Sequence, residues 1–231
     1  MIDFSPLHDF SEVHFYFLRH GKSEGNLKEL VQGRLDFPLS EEGKEQAILT
    51  GKWFTDKRIV AVFTTPLQRG QQTAQILTKA GNLPFPEVLP SLIEMDPGIF
   101  TGLTLEEAKQ KFPQIYAQFL QKSWEAVAGS EKIVQLKERA IQVWNTLIQR
   151  ILEEKQKGKP PLPQNTDRPL GVVAVTHSGF LQWILKVTLE SSSWFPLFPM
   201  GDCGIYQLTL HHTVTRWAKL NFQVPGVQGS R

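Results

Sequence analysis

Three short segments of the chain are apolar or aromatic almost throughout, without the regular polar alternation of a strand that has one side in solvent. They are HFYFL (14–18), IVAVF (59–63) and GVVAVT (171–176). A strand of this composition has to be covered on both faces, which is typical of a parallel sheet between two layers of helices. A fourth segment, GIYQLTL (204–210), alternates and is predicted to be a half-buried or edge strand.

Helical patterns lie between these predicted strands. Ser40, followed by two glutamates, is the N-cap expected of a helix with acids in its first turn. Further helices are predicted over about 67–79, over about 131–154 and after Ser178. The alternation of strands and helices predicts an α/β fold, a mainly parallel central sheet with helices on both faces. The residues predicted to face inward are Ala47, Ile48, Gly51 and Phe54; Ala74 and Leu77; Ala140, Ile141, Trp144, Leu147, Ile148 and Ile151; and Leu181, Ile184, Leu185 and Leu189.

The length of the chain, 231 residues, suits one large domain or two small ones. The proline-rich segment 157–169 is the stretch that most resembles a linker. We interpret it as a surface loop, because the predicted elements on either side of it belong to one sheet. A single domain over residues 1–231 is therefore predicted.

Charge and cysteine content exclude several kinds of partner and site. A formal net charge of +2, without a basic block longer than two residues, argues against nucleic acid and an anionic membrane surface as partners. The single cysteine, Cys203, excludes an intramolecular disulfide and a Cys-rich metal site, and it suits a reducing compartment. The N-terminal segment does not resemble a signal peptide, and no apolar run approaches the roughly 20 residues of a membrane span. A cytoplasmic protein without a membrane partner is predicted.

Polar residues follow three of the predicted strands at the point where each strand ends. Arg19, His20 and Gly21 follow the first strand, Arg69 lies shortly after the second, and His177 follows the third. The carboxyl ends of parallel strands meet at one edge of a sheet, where ligand sites form. Two arginines and two histidines are therefore expected to converge.

Such a set suits the hydrolysis of a phosphate monoester, which is among the slowest uncatalysed biological reactions. The planar guanidinium of arginine binds phosphate oxygens bidentately. A neutral imidazole can act as nucleophile at physiological pH, and a further group has to protonate the leaving alcohol. Taken singly, each of these residues could also be an ordinary residue at a strand end or on a helix.

The segment LRHGKSEGN (18–26) resembles the Arg-His-Gly signature of the histidine phosphatase superfamily, the phosphoglycerate-mutase-like enzymes. The resemblance is collinear over about residues 14–210 and favours the phosphatase branch of the family. It implies the phosphoglycerate-mutase-like fold and a metal-independent phosphoric monoester hydrolase that needs no cofactor and acts on a small phosphorylated substrate. Further segments that resemble the family's motifs, in order, are 32–47, 65–74, 92–104, 129–140 and 172–180.

The resemblance also implies a role for each site residue. His20 would be the nucleophile and form a phosphohistidine. Glu94 would protonate the leaving alcohol and then activate water, with Asp96 as the alternative acid. Gly21 would let the chain turn tightly against the phosphate, and Ser23 would either contact the substrate or cap the turn. The groups implied to hold the phosphoryl oxygens are Arg19, Arg69, His177, Asn26 and the backbone N–H groups of Ser178 and Gly179.

Two other functions remain open at this point. One is a cofactor-dependent phosphoglycerate mutase, an isomerase primed by a bisphosphate, and the other is a non-enzymatic binding module on the same fold. A mutase needs extra cationic groups for a doubly anionic substrate, yet residues 95–138 contain no arginine, and their lysines lie in patterns typical of solvated helix faces. A binding module would be expected to lack one or more of the five implied catalytic residues, and all five are present: Arg19, His20, Arg69, Glu94 and His177. The aromatic residues of the same stretch, which would favour a less charged or partly apolar substrate if they line the entrance, are Phe112, Tyr116, Phe119 and Trp124.

Other motifs carry less information. His211 and His212 are adjacent but lack nearby carboxylate or thiol partners, so no metal site is predicted there. The aromatic cluster Trp194, Phe195 and Phe198 is interpreted as core packing. The sequence leaves a homodimer open.

Overall fold

The computed structural model describes residues 2–157, 168–193, 200–211 and 216–227, and its organising element is one six-stranded sheet. The order of the strands in the sheet is β3-β2-β4-β1-β5-β6. Their bounds are β1 (Glu12–Arg19), β2 (Arg58–Thr64), β3 (Glu87–Val88), β4 (Leu170–Thr176), β5 (Ile205–His211) and β6 (Arg216–Phe222).

The four strands from β3 to β1 are parallel to one another, whereas β5 pairs antiparallel with β1 and β6 pairs antiparallel with β5. The prediction of a mainly parallel sheet is therefore confirmed, and all four predicted strands are present. The prediction that the fourth strand is half-buried or at an edge is wrong, because β5 is almost fully buried and lies between β1 and β6. Strands β3 and β6 were not predicted. With only two residues, β3 is too short to show a hydrophobic period.

Helices cover the sheet between its strands. As predicted, Ser40 caps its helix, since its side-chain oxygen accepts a hydrogen bond of 3.1 Å from the backbone N–H of Gly43. The described helices are α1 (Glu24–Leu27), α2 (Glu41–Trp53), α3 (Gln68–Gly81), α4 (Leu105–Lys111), α5 (Pro113–Lys122), α6 (Ile133–Gln156) and α7 (Ser178–Thr188).

The two faces of the sheet carry separate cores, and β1 contributes to both of them. Phe15 and Phe17 belong to one core, in which each of their rings packs edge-to-face on Trp144 of α6. Tyr16 and Leu18 belong to the other, where the Tyr16 ring packs on Phe54 at the end of α2. Burial of successive side chains on opposite faces explains why this strand shows no polar alternation.

Two of the residues predicted to face inward do not. Ile48 is 39% exposed, because it lies about 100° around the helix axis from the buried Ala47, away from the sheet. Leu189 is 57% exposed, because α7 ends at Thr188 and the inward face ends with it. Ile141 is only partly buried against the core. The other predicted inward-facing residues are buried.

Within the described ranges, no helix combines the length and apolar character needed to cross a bilayer. The predicted surface loop falls largely on residues 158–167, and the aromatic cluster falls on residues 194–199. Both of these segments, and His212, lie outside the described residues.

Candidate active site

The two histidines come together because of the register of two parallel strands. Arg19, the last residue of β1, is paired with Thr176, the last residue of β4. The residues that follow are His20 and His177, whose ring centroids lie 5.1 Å apart. Both side chains are buried, and the backbone N–H of His20 donates to the carbonyl of Thr176.

The hydrogen bonds of His20 fix which of its nitrogens is free. Its Nδ1 atom lies 2.7 Å from the carbonyl oxygen of Gly21. A carbonyl oxygen only accepts, so we assign the proton of the neutral ring to Nδ1. Burial, reinforced by the charges of Arg69 and Arg19, holds the pKa of His20 well below its usual value of 6.5. The ring is therefore neutral at pH 7, with an unprotonated Nε2 atom available to attack.

His177 lies beside His20, and one of its ring nitrogens forms a hydrogen bond. Its Nε2 atom is 2.9 Å from the hydroxyl of Thr65, just beyond the end of β2. Its Nδ1 atom is buried and has no hydrogen-bond partner among the described residues. Burial first, and then the nearby cations, hold the pKa of His177 well below 6.5. A phosphoryl oxygen in the site would give the Nδ1 atom the partner that buried polar groups normally have.

The two arginines are held by groups that leave donors free. Arg69, in the first turn of α3, is 1% exposed and donates 2.7 Å hydrogen bonds to the carbonyl oxygens of Gly33 and Leu35. Burial lowers its pKa to about 10, so the side chain remains charged at pH 7. Arg19 donates to the carbonyl of Met200 and lies 2.9 Å from the buried carboxylate of Asp202. The Nε atom of each arginine has no partner in the described part of the chain. Both guanidinium groups can therefore still bind phosphoryl oxygens.

Glu94 reaches the site from the loop that follows β3. Its Oε1 atom accepts hydrogen bonds from the backbone N–H groups of Met95 (2.8 Å) and Phe180 (2.7 Å), and its Oε2 atom accepts one of 3.2 Å from Gly179. A Cβ atom at Gly179 would lie 2.8 Å from Oε1, so only glycine permits this approach. The Gly179 N–H donates to Glu94 in this structure, while Gly179 also lines the cavity, so its contact with an anion stays a prediction.

Asp96, the alternative acid, has a local role. Its Oδ1 atom accepts a hydrogen bond of 2.9 Å from the backbone N–H of Gly98, within the same loop. Glu94 lines the cavity described below, whereas Asp96 does not. The geometry therefore favours Glu94 over Asp96.

A charged cluster that sequence reasoning missed holds this loop in place. Arg139 of α6 donates to the carbonyl oxygens of Ser91 (2.9 Å) and Ile93 (2.7 Å), and it pairs with Glu131 at 2.8 Å. Arg34 donates to the carbonyl of Glu94 and also pairs with Glu131. Asp202, the partner of Arg19, was missed as well. No local pattern marks these residues, since their partners are far away along the chain.

Of the other predicted substrate contacts, Asn26 and Ser178 line the cavity, whereas Gly21 and Ser23 do not. Ser23 caps α1 and lies within 2.9 Å of side-chain oxygens of Asn26 and Gln32, so the capping alternative fits the structure. A Cβ atom at Gly21 would lie 2.5 Å from the carbonyl oxygen of Gly43, so the glycine permits close packing against α2. The expectation of a phosphate-facing turn at Gly21 is not met.

Four of the five predicted catalytic residues, Arg19, His20, Arg69 and Glu94, form the inner end of a cavity of about 540 Å³. His177 lies beside His20 but is not among the lining residues. Phe119 and Trp124, two of the four aromatic residues considered from the sequence, line its outer part. Phe112 and Tyr116 instead pack at 6.4 Å from the ring of Phe100. Among the described residues, no three His, Cys, Asp or Glu side chains are grouped as metal ligands would be.

The lowered pKa values predict that acid destabilises the protein. Below the unfolded pKa of about 6.5, the unfolded chain binds protons at both histidine positions that the folded chain does not. We therefore expect the free energy of unfolding to be highest above pH 6.5 and to fall below it, by up to about 1.4 kcal/mol per pH unit for each histidine. Urea unfolding between pH 7 and pH 5 measures this. His177→Gln should make the decline shallower, and an unchanged slope would contradict the assignment.

Comparison with known proteins is consistent with this geometry. A family model described as histidine phosphatase superfamily (branch 1) matches residues 15–223. The chain is 29% identical to a metal-independent phosphoserine phosphatase of Arabidopsis thaliana over 76% of this chain and 69% of that protein. It is 30% identical to a 2,3-bisphosphoglycerate-dependent phosphoglycerate mutase of Chelativorans sp. (strain BNC1), over 70% of this chain and 80% of that one.

Coverage differs among the relatives. The matched segment spans only about half the length of two other curated relatives, 49% and 51%. Among solved structures, a mycobacterial glucosyl-3-phosphoglycerate phosphatase superposes with a TM-score of 0.68, at 24% identity, over 92% of this chain and 99% of the other. At this identity, the superposition bears on the fold alone.

Proposed function

The chain belongs to branch 1 of the histidine phosphatase superfamily, and we propose that it is a metal-independent phosphatase that hydrolyses phosphate monoesters through a phosphohistidine on His20. The observation that carries the proposal is the neutral imidazole of His20, placed with its free Nε2 atom beside His177 and among two arginines with spare donors. Glu94 lies in the same cavity as the acid. A binding module would not need this combination of groups.

The reaction has two steps. In the first, Nε2 of His20 attacks phosphorus, the bond between phosphorus and the leaving oxygen breaks, and protonated Glu94 donates its proton to that oxygen. Arg19, Arg69 and His177 hold the phosphoryl oxygens as their charge develops. In the second, ionised Glu94 removes a proton from water as the water oxygen attacks phosphorus. The P–N bond breaks, inorganic phosphate leaves, and His20 and Glu94 regain their starting states.

The substrate that we propose is a small phosphorylated molecule, and a cytoplasmic location is part of the proposal. The location rests on Cys203, a free and buried cysteine that suits a reducing compartment. The phosphoserine phosphatase among the relatives supports hydrolysis, whereas the mutase supports phosphoryl return to the substrate. In the part of the chain that the structure describes, the cations that line the cavity are Arg19, Arg69 and Lys186. Residues 95–138 contribute none of these cations, which supports phosphatase activity over mutase activity.

The two reaction types are separated by one assay. The protein is incubated in EDTA with 3-phosphoglycerate, with and without 2,3-bisphosphoglycerate, and both 2-phosphoglycerate and inorganic phosphate are followed. Several other monoesters are tested for phosphate release in the same buffer. We expect phosphate release from several monoesters and little interconversion of the two phosphoglycerates. Rapid, bisphosphate-dependent isomerisation with negligible phosphate release would make the protein a mutase. Loss of activity in EDTA that added metal restores would contradict metal independence.

A further inference from the structure

The outer part of the cavity contains a cation that the phosphoryl chemistry does not use. Lys186 lies on α7 and lines the cavity together with Trp183. The residue is only 1% exposed. Its Nζ atom lies 4.3 Å from the centroid of the ring of Trp183, which also lines the cavity. Lys186 lies outside residues 95–138, the stretch that contains no arginine.

Lys186 lacks an anionic partner within the described residues. Among the described residues, no carboxylate forms an ion pair with Lys186 and no group forms a hydrogen bond with its ammonium group. Burial lowers its pKa to about 8, so the side chain is mostly charged at pH 7. A buried ammonium group of this kind normally has a negatively charged partner. The face of Trp183 satisfies it only in part.

A smaller cavity, of about 270 Å³, borders the other side of Lys186 and is lined by Lys137 and Glu190. Glu190 does not pair with Lys186 in the structure, and Lys137 adds a second positive charge there. The Nζ atom is close to Trp183, which lines only the larger of these two cavities. An anion that pairs with Lys186 is therefore expected in the active-site cavity.

The position of Lys186 along α7 sets the length of the molecule that it can bind. At about 1.5 Å per residue, its Cα atom lies roughly 12 Å along the helix from Ser178, beside the phosphoryl site. Its side chain turns back over Trp183, as helical side chains do, so an anion at Nζ lies roughly 8 to 12 Å from the phosphoryl group. A three-carbon acid phosphate is too short to span both sites.

Most of the side chains that line the cavity between the two charged sites are apolar, with Gln182 of α7 as a polar exception. Phe119, Leu120 and Trp124 line the cavity opposite the α7 side chains, together with Met95 and Met200. A cavity of about 540 Å³ lies in the size range that accommodates drug-sized ligands. An aromatic or aliphatic body would bury its surface there, whereas a chain of hydroxyl groups would lose hydrogen bonds to water.

From this arrangement, and building on the proposed phosphatase function, we propose that the substrate is an elongated phosphate monoester. Its leaving group carries an aromatic or apolar body and, at the far end, a carboxylate that binds Lys186. Lys186 is thus a specificity-determining residue, whereas His20, Arg19 and Arg69 act on the phosphoryl group common to all substrates. One ammonium group balances one negative charge, which favours a carboxylate over a second phosphate.

The test compares two esters that differ only in the distal charge. They are the phosphate ester of 3-(4-hydroxyphenyl)propanoate and the phosphate ester of the corresponding amide. In Lys186→Met, which keeps an unbranched apolar side chain, we expect KM for the carboxylate ester to rise by at least about 30-fold, the effect of removing one partner of a buried charge pair. KM for the amide and kcat for both esters should stay within about twofold of the wild-type values, within the scatter of neutral contacts.

Two variants serve as controls. Lys186→Arg keeps the charge and should retain most of the preference for the carboxylate ester. Lys137→Met removes a charge from the smaller cavity and should leave KM and kcat unchanged for both esters. An equal rise in KM for the two esters in Lys186→Met would overturn the proposal. So would a wild-type enzyme with the same KM for both esters. Circular dichroism of each variant establishes that it is folded.

A binding experiment keeps the outcome separate from catalysis. The phosphonate analogues of the two esters, in which a methylene group replaces the ester oxygen, are titrated by calorimetry. If the protein releases phosphate from neither ester but binds the carboxylate phosphonate more tightly than the amide, and Lys186→Met abolishes the difference, then the phosphatase function fails and the carboxylate site stands. Equal binding of the two phosphonates to the wild type would refute the carboxylate site whatever the turnover.

Discussion

Replacing His20 with alanine is expected to lower kcat by about 10⁴- to 10⁶-fold for every phosphate monoester, which is the range seen when a catalytic nucleophile is removed. His20 is the residue in the cavity whose unprotonated nitrogen can attack phosphorus, because its Nδ1 atom is bound to the Gly21 carbonyl. His177 is less suited, because its free Nδ1 atom has to carry the proton if it is to donate to a phosphoryl oxygen, while its Nε2 atom accepts from the Thr65 hydroxyl. The arginines are protonated and so are not nucleophiles.

Two measurements accompany this variant. Circular dichroism and thermal unfolding should show that it is folded, and His8→Ala, a change at an exposed histidine, should keep wild-type activity. Rapid quenching of the wild-type protein during turnover of a ³²P-labelled substrate should trap label that is lost in acid and kept in alkali, as phosphohistidine requires. Label that is stable in acid, or substantial activity in His20→Ala, would mean that another group is the nucleophile.

Glu94→Gln is expected to slow the hydrolysis of alkyl phosphates by about 10²- to 10⁴-fold, the usual contribution of a general acid or base. An aryl phosphate such as 4-nitrophenyl phosphate has a leaving group that needs little protonation, so dephosphorylation of that substrate should slow much less in the first step. Glutamine has nearly the shape of glutamate, and its oxygen can still accept the hydrogen bonds from Met95 and Phe180. The variant therefore tests the proton more than the position of the side chain.

The second step also uses Glu94, so the two steps have to be measured separately. Single-turnover release of nitrophenol reports the first step, and release of phosphate reports the second. Asp96→Asn is the matched control, because that carboxylate binds within its own loop, and it should change both steps little. If Glu94→Gln slowed the first step equally for alkyl and aryl esters, Glu94 would not be the general acid. The same conclusion would follow if Asp96→Asn slowed the first step more than Glu94→Gln does.

The central fold followed from the sequence because its signals are local. Uniformly apolar strands such as residues 171–176 need cover on both faces wherever they lie, and this property of the segment alone was enough to predict a parallel sheet. Strand β3, with two residues, carries no such signal and was missed. Ile48 was misplaced because the apolar pattern of a helix gives the direction of its buried face but not its width.

The residues of the inner part of the site could also be predicted from the sequence. Arg19, His20 and His177 follow strands that end at the same edge of the sheet, so a parallel arrangement brings them together without knowledge of other contacts. Glu94 was identified through resemblance to a family. The same resemblance selected it over Asp96, and the hydrogen-bond partners of the two carboxylates, known only from the structure, agree with that choice.

The sequence by itself therefore determined the layered α/β fold and the residues at the ends of its strands, because strand composition and strand direction are set locally. Only the tertiary structure decided what holds those residues and what surrounds them. The pairing of Arg19 with Asp202, the bonds from Arg139 to the Glu94 loop, and the place of Lys186 in the lining of the active-site cavity are such features. Each depends on how separate elements pack against one another and on which side chains that packing leaves without a partner, and no periodic pattern along the chain encodes these properties.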